Sequence, residues 1–191
     1  MKIAKSVNRL GTEAVYSIFA KTKKLAKQGK KIIDLSLGQS DFKSPKHAVD
    51  ATIKALKDGH HGYTLPNGII ECREAVSRKI KSLYNADIDP ERIIIMPGGK
   101  PTMHYGISFF GEIGAEIIYP DPGFPIYESM IKYTGAKAVP FNITENKDFS
   151  INPDKVLSLI NNNTRLLILN NPHNPTAVSY THLTLPTSDL V

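Results

Sequence analysis

The sequence predicts an α/β protein built on a mainly parallel sheet with helices on both faces. Three observations carry this expectation. From residue 91 onward, short apolar runs alternate with amphipathic stretches of helical spacing. The runs are apolar on consecutive residues, as in IIIM (93–96), IIY (117–119) and LLIL (166–169), which suits strands covered on both faces. Three of them then end in residues that a buried strand does not need: PGGK (97–100), PDPGF (120–124) and NNPHNPT (170–176). Ligands of such sheets sit outside the carboxyl ends of the strands, so parallel strands would bring all three clusters to one rim.

Taken in order, residues 12–28 place Val15, Ile18, Phe19, Thr22, Leu25 and Ala26 at helical spacing, with Gly29 as the stop. KIIDLSLG (31–38) reads as a buried strand or extended segment. Ser44 and Pro45 read as an N-cap and first helical residue, and the helix they open carries Val49, Ile53 and Leu56 and stops at Gly59. GHHGYTLPN (59–67) has the composition of an exposed loop. Residues 68–84 return to helix, with Ile69, Cys72, Val76, Ile80 and Leu83 on one side. Strand, glycine turn and helix are expected over 91–110, strand over 116–121, helix over 124–134 and strand over 136–143. Asn152-Pro153 would cap a helix carrying Val156, Leu157 and Ile160, before a last strand at 165–172.

Composition narrows the function. The chain has 191 residues, a net charge of +6 and one cysteine, Cys72, so it forms no internal disulfide and suits a reducing, cytoplasmic setting. No apolar run approaches the length of a membrane span, and the first fifteen residues lack the apolar stretch of a secretory signal. Lysines cluster at 21–24 and 27–31 on the first helix, a solvated face rather than the dense stripe of a nucleic-acid binder. No metal site is expected.

The three rim clusters each have a plain structural reading as turns. Each also has a chemical one. Two glycines before a helix let backbone approach an anion, and Lys100 adds charge. Phe124 offers a flat ring on which a flat ligand could stack. The asparagine amides of 170–176 can donate to a phenolate or phosphate oxygen, held rigid by the prolines.

Five ordered segments together are more specific than any one of them. LSLGQSDF (35–42), HGYTLPNGIIECREAV (61–76), MPGGK (96–100), DPGFPIY (121–127) and NNPHNPT (170–176) resemble the class I/II aminotransferases, pyridoxal-phosphate enzymes of fold type I, in their aspartate-aminotransferase-like branch. The resemblance implies an incomplete doubly wound sheet of the large domain over 46–176, preceded by an N-terminal arm and small-domain segment over 1–45. It implies pyridoxal 5′-phosphate as cofactor, amino-acid and 2-oxo-acid substrates, and a homodimer. Residue by residue, Gly38 would meet the substrate α-carboxylate. Tyr63 would reach the cofactor phosphate of the neighbouring subunit, and Gly98, Gly99 and Lys100 would cradle the phosphate of their own. Phe124 would stack on the pyridine ring, and Asn174, also beside the substrate, would hydrogen-bond the 3′-oxygen.

Two departures stand out. Ala177 holds the place where the family has glycine, and no lysine follows Lys155, so the family's Schiff-base lysine and its S-x-x-K segment are absent. Residues 177–191 contain no lysine or arginine and are expected to be a non-native tail, read as translated adapter sequence joined to an interrupted gene. The expected function is therefore amino-group transfer by the parent protein, with this chain inactive by itself. A lyase or synthase on the same scaffold and a non-catalytic binding or assembly module are the alternatives.

Overall fold

The computed structural model describes residues 2–11, 14–35, 38, 40–144 and 149–179; the outer parts of the expected first helix, the 31–38 segment and the tail lie outside them. The chain divides into two compact units, residues 15–99 and residues 1–14 with 100–191.

The second of these contains the sheet. Strands β1 (Glu116–Asp121), β2 (Lys137–Asn142) and β3 (Thr164–Leu167) lie in the order β2-β1-β3, all parallel. β1 is central, and its Ile117, Ile118, Tyr119 and Pro120 are all buried. Side chains alternate across a strand, so this run feeds two cores. Ile117 and Tyr119 pack with Ile107, Tyr127, Met130 and Ile131, while Ile118 packs with Phe141, Ile143 and Val156. The first core is closed by helices α4 (Gly99–Phe110) and α5 (Ile126–Thr134), and the second by α6 (Pro153–Leu157). Helix, sheet and helix thus form three layers. The expected strands at 116–121, 136–143 and 165–172 are all present, the last shortened to Thr164–Leu167, where Leu166 and Leu167 are half-buried. The cap at Asn152 is as expected, its Oδ1 accepting the Lys155 N–H at 3.1 Å.

The amino ends of the strands are tied by one carboxylate. Glu116 Oε1 accepts from Lys137 Nζ on β2 at 2.8 Å, and Oε2 accepts from Asn161 Nδ2 before β3 at 2.8 Å. Near the amino terminus, Arg9 donates to the carbonyls of Lys132 and Tyr133 at 2.8 and 2.7 Å, which fastens the first residues to the end of α5.

The unit of residues 15–99 is helical: α1 (Ala14–Lys27), α2 (Lys46–Lys57) and α3 (Ile70–Tyr84). Phe19, Thr22 and Leu25 form the half-buried stripe of α1. The start of α2 differs from expectation: Pro45 is the N-cap and the Ser44 side chain makes no cap hydrogen bond. Two expected strands are not formed among the described residues. Ile33 is 83% exposed, and the 31–35 segment is irregular. Ile94 is 64% exposed, and in place of a ladder Ile93 N–H bonds the Pro90 carbonyl and Ile95 N–H the Asn67 carbonyl, both at 3.1 Å. An apolar run without a neighbouring strand edge cannot become sheet, whatever its propensity.

Arg73, only 2% exposed, organises this unit. Its guanidinium donates to the Pro90 carbonyl at 3.0 Å, to Glu91 Oε1 at 2.9 Å and, through Nε, to the Gly68 carbonyl at 3.2 Å. It joins α3 to both of its flanking turns.

Two expectations follow for stability. Arg73→Met removes three hydrogen bonds made by a buried guanidinium and is expected to cost about 2–3 kcal/mol, whereas Glu91→Gln, at an exposed carboxylate, costs under about 1 kcal/mol; urea denaturation distinguishes them. The hydrogen bonds from Lys137 and then Asn161 lower the Glu116 pKa. A depressed carboxylate stabilises the fold above its unfolded pKa and stops doing so as pH falls through the folded value. The melting difference between the wild type and Glu116→Gln should therefore be present at neutral pH and close in acid.

Candidate functional site

The carboxyl ends of β1 and β3 emerge side by side, because the strands are parallel neighbours. β1 runs into the Pro122–Pro125 turn, and Ile168 N–H bonds the Ile118 carbonyl at 2.9 Å as β3 leaves the sheet toward 170–176. Two of the three expected clusters therefore share a rim, for the reason the alternation suggested.

The turn after β1 is tight. A Cβ built at Gly123 would lie 2.2 Å from the Pro120 carbonyl oxygen, so only glycine fits, and the next residue, Phe124, is set against the core. Phe124 is half-buried and meets the Tyr127 ring edge-on, with centroids 6.1 Å apart at 84°. The Lys100 ammonium sits 5.8 Å from the Phe124 centroid, within cation–π range. Thus the first residue past the glycine turn and the aromatic after β1 come together.

Gly98, in the unit of residues 15–99, has φ +90° and open space where a Cβ would stand. L side chains avoid that backbone, and the turn leaves the N–H groups at the start of α4 without an earlier helical turn to bond. Gly38 is exposed with nothing within 4 Å of a built Cβ. Tyr63, at 110% exposure, lies in the 59–67 loop and serves no core.

The loop after β3 is held by its own polar groups. Asn170 Oδ1 accepts the Asn174 backbone N–H at 2.5 Å. His173 N–H donates to the Val178 carbonyl and Ala177 N–H to the His173 carbonyl, both at 2.8 Å. The His173 ring is 3% exposed, with Nδ1 2.8 Å from Thr176 Oγ1. Burial lowers its pKa, opposed by the Pro122 backbone. Next to buried His173, in the turn at 174–176, Asn174 is exposed.

His173 was not singled out from the sequence, although it stood inside a quoted segment. A polar residue flanked by asparagines and prolines carries no sign of burial. Tyr119, pushed up to about 12 by burial and by Glu128 and Asp121, stays a neutral phenol and offers no base at neutral pH.

The rim suits a phosphorylated aromatic: a cation beside a half-buried ring, and an exposed neutral amide on the neighbouring strand end. The fold and this set define a sheet-rim ligand site of the α/β class. The family model for "Aminotransferase class I and II" matches residues 30–187. The chain belongs to the class I and II aminotransferases. It is 32% identical over 181 residues to an aspartate aminotransferase of Bacillus subtilis, covering 95% of this chain and 46% of that protein. It is 37% identical over 161 residues to the (5-formylfuran-3-yl)methyl phosphate transaminase of Methanocaldococcus jannaschii, covering 84% of this chain and 41% of that protein. Among solved structures, the aspartate aminotransferase of Thermus thermophilus with maleate superimposes with a TM-score of 0.86 at 28% identity, over 92% of this chain and 46% of that one. The chain spans less than half the length of the curated relatives it matches. The fold is that of the fold type I enzymes, as expected.

Ala177 adopts φ +61° at the position where glycine was expected from the resemblance. A left-handed alanine costs about 1–2 kcal/mol, partly offset by the greater unfolded-state freedom of glycine. Ala177→Gly is expected to stabilise the chain by about 0.5–1 kcal/mol, read as a rise in melting temperature.

Proposed function

We propose that these residues form the cofactor-holding part of a pyridoxal-phosphate aminotransferase that moves an amino group between an amino acid and a 2-oxo acid. The observation that carries this is the Lys100 ammonium 5.8 Å from the Phe124 ring at the carboxyl end of β1, beside the strand that leads to Asn174. When bound, the cofactor supplies an electron sink for bonds broken at the amino acid's α-carbon. Lys100 and the Gly98–Gly99 turn hold its phosphate, Phe124 stacks on its ring, and Asn174 donates to the 3′-oxygen. Gly38, with its open surroundings, receives the substrate carboxylate.

The exposure of Tyr63 supports a role across a homodimer, at the phosphate of the neighbouring subunit. Residues 1–45 act as arm and small-domain segment, 46–176 as the first part of the cofactor-binding domain, and 177–191 as a non-native tail. The single cysteine supports a cytoplasmic setting, and among the described residues no helix is long and apolar enough to cross a membrane. Because no lysine follows Lys155, the 191 residues hold the cofactor without completing the reaction.

Pyridoxine 5′-phosphate is the suitable probe, since without an aldehyde it cannot condense with surface lysines. Fluorescence titration should give saturable binding to the chain, weakened about tenfold by Phe124→Ala and by Asn174→Ala. The chain alone should turn over no amino acid with pyridoxal 5′-phosphate. Binding indifferent to both substitutions, or measurable turnover, would overturn the proposal.

A further inference from the structure

We propose that His173 is the positioning residue for Asn174: its buried imidazole closes the loop after β3 onto Thr176 and so fixes the amide that the cofactor's 3′-oxygen would meet. The proposal rests on the cofactor reading above. It starts from a cost. An imidazole buried to 3% exposure must keep its hydrogen bonds or destabilise the fold, and leucine would fill similar space without that demand.

The partners show what the ring gains instead. Nδ1 meets Thr176 Oγ1 at 2.8 Å, three residues along the same loop. That hydroxyl oxygen also accepts the Val178 N–H at 3.4 Å, so the ring and the main chain two residues further on meet at one side chain. On the main chain, His173 bonds Val178 and Ala177, and the following residue's N–H is held by Asn170 Oδ1. Asn174 is thus gripped on its own N–H and through the residue before it, while its side chain stays exposed. The ring thus closes the turn that carries the ligand-facing amide.

The test is a double-mutant cycle on the 191-residue chain, read by pyridoxine 5′-phosphate titration. Asn174→Ala and His173→Leu are each expected to weaken binding about tenfold, and the double variant no further than either alone. His173→Asn, which retains a group near the Nδ1 position, should recover most of the loss. Should His173→Leu fail to fold, Thr176→Val takes its place, because it removes the Nδ1 partner at nearly constant volume. Independently of ligand, the Asn174 side-chain amide should give one sharp pair of NMR resonances in the wild type and a broadened or random-coil pair in His173→Leu or Thr176→Val. Wild-type binding by these variants, or losses that simply add in the double variant, would overturn the positioning role. Unaltered binding by Asn174→Ala would instead overturn the cofactor reading, and the positioning role with it.

Discussion

The central strand β1 can exist only if both of its faces are covered. Ile117 and Tyr119 face one core and Ile118 the other, so the strand is an intersection of two hydrophobic clusters rather than the wall of one. Each fully buried aliphatic side chain contributes about 1.5–3 kcal/mol relative to exposure, and β1 supplies two at the centre of the sheet. That demand sets the three layers. It also sets the direction of its neighbours, because a strand flanked by helical crossovers on both sides is built from parallel pairs.

Parallel order separates the sheet's two ends by role. At the amino end, Glu116 gathers Lys137 and Asn161 and so binds all three strands' beginnings with one carboxylate. At the carboxyl end, the turn at 122–125 brings an aromatic ring beside the Lys100 cation, and the loop at 170–178 carries an exposed amide and a buried imidazole. Charge at one end consolidates the sheet. Polar groups at the other are spent on shape and on what the rim can hold. The same division explains why the buried His173 lies in a loop, where an apolar residue would pack more simply.

Legibility followed the range of the interactions involved. β1, β2, α5 and the Asn152 cap were readable because their determinants lie within a few residues: a run of apolar side chains, a helical period, a side-chain oxygen three residues before an N–H. The rim was readable because Pro, Gly and Asn after an apolar run depart from what burial alone requires. The run at 93–97 misled because strand formation depends on a neighbouring edge, which its composition does not reveal. Ser44 misled because the competing proline shifted the cap by one residue. Arg73 and His173 escaped notice for a related reason. Arg73 is satisfied by a carbonyl at residue 90, far along the chain, and a charged or ionisable residue gives no local sign of its burial.

Gly123 shows how a position that touches no ligand can still shape a recognition surface. With the Pro120 oxygen 2.2 Å from where a methyl group would sit, any other side chain would force the turn open. The displaced element would be the ring at 124, and with it the spacing to the ammonium at 100. The geometry offered to a flat guest is therefore conditioned by a missing carbon atom, and selection acting on the guest would be felt at a residue that never meets it.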